Sequence, residues 1–211
     1  NPADLDGLKV TITDSQGHTQ TTTIDDGKYE FTKVPNETYT VSVEAKDTYE
    51  AFDDQTGIVV ANNNKTVNFT TAPVSVSGTL VDENDQPIAG QTITITDANG
   101  SHDVTTKTDG TYSFAGVANG EITIAVSNVD GYVPFTNLTP TVAGKSLTGQ
   151  NFKAVPSTIS GTVTGTDASG NPADLDGLKV TITDSQGHTQ TTTVENGKYE
   201  FTKVPNETYT V

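Results

Sequence analysis

Asp14, Ser15 and His18 bring together a carboxylate, a hydroxyl and an imidazole, the residue types of a hydrolytic triad. Such a triad needs its base held between nucleophile and orienting acid, each side chain arriving from its own direction. Here all three lie within the one short turn "DSQGH", so they cannot converge, and the stretch reads as a turn. A Gly-rich phosphate loop, zinc-ligand spacing and a buried acid pair are all missing.

The oxygens of "DASGNPADLDG" (167–177), repeated in part as "NPADLDG" (1–7), suit a different chemistry. Asp167, Asn171, Asp174 and Asp176 offer hard ligands on one inter-strand loop. Ca²⁺ takes about six to eight such oxygens, some from backbone or water. The loop lacks the Gly and the closing Glu of a helix–loop–helix calcium site. Solvated turn residues are the plain reading, and a Ca²⁺-bound joint is the alternative.

Charge and composition exclude several classes. The 211 residues carry a net charge of −16, and every basic residue is Lys. Without Arg there is no guanidinium fork for phosphate, and an acidic surface repels nucleic acid. No partner of that class is expected. There is no Cys, so neither a disulfide nor a reactive thiol is available. No stretch is apolar enough to cross a membrane as a helix. Hydrophobic residues make up 32 %, a lean supply that suits small β-domains with thin cores better than a large enzyme core.

The elements that must position these residues have a period of two. "LKVTITD" (8–14) alternates Leu8, Val10 and Ile12 with Lys9, Thr11 and Thr13, and "TYTVSVE" (38–44) does the same through Tyr39, Val41 and Val43. This is the pattern of half-buried strands. Asp26-Gly27, Asp109-Gly110 and Asn196-Gly197 stand at one equivalent place and suit the two positive φ angles of a type I′ hairpin. "DSQG" (14–17), "DANG" (97–100) and "DSQG" (184–187) mark a second recurrent turn.

Residues 1–41 and 171–211 are the same except for Ile24/Val194, Asp25/Glu195 and Asp26/Asn196. A weaker echo lies between them, where "TITITDANGSHDVTTKTDGTYSFAGV" (92–117) follows the grammar of "KVTITDSQGHTQTTTIDDGKYEFTKV" (9–34). Such periodicity marks an array of units. Three modules alternate as A–B–A: 1–72 is A without its first strand, 73–154 is a complete B, and 155–211 is A without its C-terminal half. Each complete module should hold about seven strands in two antiparallel sheets packed face to face. A continuous array longer than this window is the expectation; a polymer of short chains exchanging the strand around 157–165 is the rival.

The opening "SGT-V", the "P-I-A-G" before the second strand and "TDGTYSF" with "V-NG" (77–126) resemble the carboxypeptidase regulatory-like domain. Module A is similar, with "ISGTVTG", "DGKYEF" and "VPNETYTV". That family groups with transthyretin-like sandwiches and with the collagen-adhesin B-type repeats of bacterial surface proteins. The resemblance implies an all-β, Ig-like or transthyretin-like sandwich that serves as a stalk. B-type repeats often carry a Lys–Asn isopeptide bond assisted by Glu. Glu44 and Asn68 match the acid and amide, but Gly165 or a neighbouring Thr stands where the Lys should be. Module B has Asn151 on its last strand and Ser127 in place of the Glu.

The sequence therefore points to a non-enzymatic structural repeat, a stalk or fibre segment of a long extracellular, cell-surface or wall-anchored protein. Its expected partners are neighbouring modules, with fibre or lateral self-association as an extension. "TTAPVS" (70–75) and "KAVPST" (153–158) are short Pro-bearing joints, stiffer than Gly/Ser linkers. Two rivals stand beside this reading. Adhesin modules that bind a host glycan or protein would need exposed loop aromatics, for which Tyr49, Phe52, Tyr132 and Phe135 are the candidates. An accessory domain of a secreted hydrolase would need a catalytic domain elsewhere.

Overall fold

Alternating Val, Ile and Thr at positions 9–13 put Val10 and Ile12 inward and leave the threonines at the wet face. The computed structural model, which describes residues 2–211, repeats that device along the whole chain. After a short 3-10 turn at Pro2–Leu5, the first module holds β1 (Lys9–Thr13), β2 (Thr19–Thr23), β3 (Thr38–Val43) and β4 (Gln55–Val59). They form one sheet in the order β2-β1-β3-β4.

The central module holds β5 (Ser75–Val81), β6 (Thr92–Asp97), β7 (Gly100–Thr105), β8 (Thr111–Ala115), β9 (Gly120–Glu121), β10 (Thr123–Val126), β11 (Thr141–Val142) and β12 (Phe152–Lys153). One sheet runs β10-β6-β7 and the facing one β12-β5-β8, with β11-β9 as a short ribbon. The β12–β5 pairing is parallel, so the second sheet is mixed rather than wholly antiparallel. Val76, Leu80, Ile93, Ile95, Tyr112 and Ile124 are buried between the layers.

The last module holds β13 (Thr158–Thr162), β14 (Lys179–Asp184), β15 (Thr189–Thr193), β16 (Lys198–Thr202) and β17 (Tyr209–Thr210). Its core gathers Ile182, Phe201 and Val204. All three modules are β-sandwich material: each apolar cluster draws on its own stretch of chain, and no α-helix occurs among the described residues.

The hairpins follow the turn chemistry in two cases of three. Asp26 and Gly27 have φ of 46° and 70°, and Asn196 and Gly197 have 50° and 70°, as a type I′ turn requires. The Asp109-Gly110 turn is different. Only Gly110 has positive φ, and Lys107 rather than Thr108 pairs with Thr111, making the loop one residue longer. The Asp109 carboxylate explains the change, because it accepts hydrogen bonds from both the backbone N–H and the hydroxyl of Thr111 and clamps the turn from within.

The duplicated sequence acts as an internal control. "KYEFT" forms β16 at 198–202, paired residue by residue with β13. At 28–32 the same letters form no strand. Phe201 is 5 % exposed and Val204 3 %, whereas Phe31 and Val34 are only half-buried. Local propensity is equal in the two places, so the neighbouring strand decides.

Candidate inter-module interface

Asp47 stands in the turn after β3 that Tyr49 closes, and Asp130 and Tyr132 occupy the equivalent places after β10. Between each pair stands a residue of positive φ, Thr48 at 70° and Gly131 at 80°. This conformation turns the chain so that its backbone can meet the linker beyond. Val74 N–H donates to Thr48 O at 2.8 Å, and Ser157 N–H donates to Gly131 O at 3.0 Å. Glu50 N–H reaches Ala72 O at 2.8 Å, and Val133 N–H reaches Val155 O at 2.9 Å. Tyr49 thereby bridges to Pro73, and Tyr132 to Pro156. The two joints are the same structure built twice.

Each joint also grips the next module. Asp47 Oδ1 accepts the Asn119 N–H at 2.8 Å, and Asp130 Oδ1 accepts the Asn206 N–H at 3.3 Å. At the first joint Glu50 Oε1 accepts from Ser146 N–H, and Ala51 N–H donates to Gly144 O. The bonds from Ser146 hold the Glu50 carboxyl below its ordinary value, with Lys145 adding to the effect.

At the second joint the grip is ionic. Lys203 Nζ lies 2.9 Å from Glu83 Oε1 and 3.9 Å from Asp82 Oδ2, and 5.3 Å from the centre of the Tyr132 ring. Tyr132 and then Glu83 push the Lys203 ammonium's pKa upward. Lys203 in turn holds the Glu83 carboxyl low. The Ser157 hydroxyl bonds to Val204 O, and Val204 N–H returns to Ser157 O. At the first joint the cation over the tyrosine is Lys46, 5.6 Å from the Tyr49 ring and from the same module.

The four loop aromatics are engaged in joints and cores. Tyr132 is buried, and Tyr49 is half-buried with its hydroxyl on Asp4 Oδ2. Phe52 meets Phe69 edge-on, and Phe135 meets Phe152 in the same way.

The structure places the triad-type residues in one turn. Asp14 Oδ1 accepts the N–H groups of Gln16 and His18, and Oδ2 lies 2.8 Å from His18 Nδ1. Burial raises the Asp14 pKa, but the His18 and Gln16 hydrogen bonds outweigh it and leave the carboxyl below its ordinary value. Ser15 takes no part in these bonds.

Asp167, Asn171, Asp174 and Asp176 are all exposed. Asp167 Oδ1 accepts from Ser169 and Asn171 N–H, which closes a turn and lowers its pKa. Asp174 Oδ1 accepts from Asp176 N–H, and Asp176 Oδ1 from Gly197 N–H. The described residues hold no group of three or more His, Cys, Asp or Glu side chains placed to share a metal. Asn151 Oδ1 accepts from both the N–H and the hydroxyl of Thr79, and Glu44 Oε2 accepts from Lys9 N–H.

The Pro-bearing linkers at 70–75 and 153–158 were legible in the sequence, but the bonds that fix them were not, because they are mostly main-chain. One signal was present: Asp-x-Tyr recurs at equivalent places, each time the same distance ahead of a linker Pro.

Comparison with known proteins gives this geometry a context. Over its full length the chain is 27 % identical to serine-aspartate repeat-containing protein F of Staphylococcus epidermidis, covering 15 % of that protein. It is 28 % identical to serine-aspartate repeat-containing protein D of Staphylococcus aureus, over 98 % of this chain and 20 % of that one. The chain thus spans a fifth or less of these relatives. Among solved structures, the Bacillus anthracis TIE protein aligns over 97 % of this chain and 45 % of its own, with a TM-score of 0.42 and 14 % identity. Residues 75–154, the central module, match the model of the carboxypeptidase regulatory-like domain.

Proposed function

We propose that this chain is a load-bearing segment of a cell-surface stalk or fibre, in which β-sandwich modules are coupled end to end and catalyse nothing. The observation that carries this reading is the joint built twice, with the same Asp, positive-φ and Tyr positions and the same backbone bonds to the linker. A flexible tether needs no such bonds. Repeating one joint fixes one rotation per module, which gives an extended array a defined course. Similarity to serine-aspartate repeat proteins across the whole chain supports a place outside the cell. The partners are the neighbouring modules of the array.

Small-angle scattering on the 211-residue chain tests the proposal. The expected result is one inter-module arrangement, widening to a broad distribution in an Asp47→Ala/Asp130→Ala variant whose modules still melt cooperatively. A broad distribution in the unaltered chain refutes the stalk reading.

A further inference from the structure

The linker bonds are common to both joints, so they cannot tell one module from another. The side chains around them can, because they differ between the joints. We propose that these side chains fix the order of modules: the end of an A module selects a B module as its neighbour, and the end of a B module selects an A. The inference rests on the stalk reading above and gives each module end a chosen partner.

The end of the first A module presents Glu50 and Ala51, directly after Tyr49. Glu50 Oε1 accepts from Ser146 N–H, and Ala51 N–H donates to Gly144 O, both in B. The fit is close, since a Cβ at Gly144 would stand 3.3 Å from the Ala51 Cβ. After Tyr132, the matching residues of B are Val133 and Pro134. Valine has no side-chain acceptor and proline has no N–H. A B module set before another B would therefore lose both bonds.

The end of B presents Asp82 and Glu83 to Lys203 of the following A, whose Nζ lies 2.9 Å from Glu83 Oε1. Glu83 Oε2 is buried without a hydrogen-bond partner, so the carboxylate depends on the incoming ammonium. B itself has Gly116 at that place: Gly116 precedes Val117 and Lys203 precedes Val204, the two valines whose N–H groups bond to Val74 O and Ser157 O. A second B would bring no cation to Asp82 and Glu83.

Two A modules in succession fail for a different reason. Ala168 of A stands where B has Glu83, each following an Asp whose Oδ1 accepts N–H bonds from two and four residues on. Thr48 of A stands where B has Gly131. A Cβ at Gly131 would fall 3.0 Å from Lys203 O and 3.3 Å from the Lys203 Cβ. The lysine of a following A would meet neither its glutamate nor the space that glycine leaves.

The chain has no Cys, so spin labels can be placed on introduced cysteines. Gln20, Thr105 and Gln190 are exposed strand residues, one in each module. Labels at Gln20→Cys and Thr105→Cys read the first joint, and labels at Thr105→Cys and Gln190→Cys read the second. Both distance distributions should be narrow in the otherwise unaltered 211-residue chain. Glu50→Val/Ala51→Pro writes the letters of B onto the end of A and should widen only the first distribution, at least about twofold. Lys203→Gly should widen only the second. Lys203→Glu should widen the second as well, and adding Glu83→Lys should narrow it again, a rescue that lost packing would not give. Circular dichroism checks that each variant keeps its strands, and if Ala51→Pro unfolds the first module the Lys203 variants decide. A narrow distribution at the altered joint of either recast variant, or no recovery in the charge exchange, overturns the proposal. The stalk reading survives those results if Asp47→Ala/Asp130→Ala still broadens the arrangement. Broad distributions in the unaltered chain overturn both.

Discussion

Gly78 and Tyr112 face each other across β5 and β8, and the tyrosine ring lies against the glycine. A Cβ at Gly78 would fall 1.9 Å from Gln150 O and 3.0 Å from the ring. Gly78→Ala should therefore destabilise the central module by about 3 kcal/mol, the upper range for an overfilled core. Thermal unfolding measures it, and a midpoint equal to the unaltered chain contradicts the packing.

Tyr112→Phe keeps the ring and removes the bond to Gln150 O. Burial has already pushed the Tyr112 hydroxyl up to about 12, so it donates and never ionises near neutrality. The expected loss is about 1 kcal/mol. A larger loss than that of Gly78→Ala would reverse the ranking of space over hydrogen bonding.

Gly27→Val should weaken the first module by about 1–2 kcal/mol, since Gly27 holds φ of 70° and a β-branched residue resists it. Lys28→Val, beside it and exposed, should cost far less. Equal melting curves for the two variants would remove the hairpin assignment.

The alternation of Val10, Ile12, Tyr39 and Val41 was legible because a two-residue period maps directly onto two faces of a strand. Asp26-Gly27 was legible for a similar local reason. Asp109-Gly110 misled, because its turn is decided by a side-chain bond to Thr111 that the dipeptide does not reveal. The fate of 28–32 was hidden more deeply: identical letters form a strand in one copy and none in the other, according to what lies beside them. Within the joints, Tyr49 and Tyr132 were visible as loop aromatics, but their linker partners are backbone atoms, which carry no letter.

The joints should soften in acid before the cores melt. Glu50 and Glu83 are both held below the ordinary carboxylate value of 4.5, by Ser146 and by Lys203 respectively. Groups depressed by folding stabilise fully above the ordinary value and lose that contribution as pH falls through the lowered one. Scattering at descending pH, followed alongside circular dichroism, should show inter-module angles broadening while strand content persists. In Lys203→Met the broadening at the second joint should already be present at neutral pH. Simultaneous loss of angle and strand signal would refute this order.

Calcium offers a direct check on the 167–176 loop. Asp167 and Asp176 already accept backbone N–H bonds, so the melting curve should be the same in calcium and in EGTA. Asp167→Ala should lower stability by about 1 kcal/mol in both. A calcium-dependent rise that Asp167→Ala abolishes would instead make the loop a metal site.

The linker bonds of each joint run between main-chain atoms, from Val74 to Thr48 and from Ser157 to Gly131. Main-chain contacts do not depend on which side chains happen to occupy a copy. Recombination between the near-identical stretches 1–41 and 171–211 would therefore add or delete whole repeats and leave every surviving junction able to close. Such a gene could change the reach of its product in steps of one repeat, with no new interface to evolve.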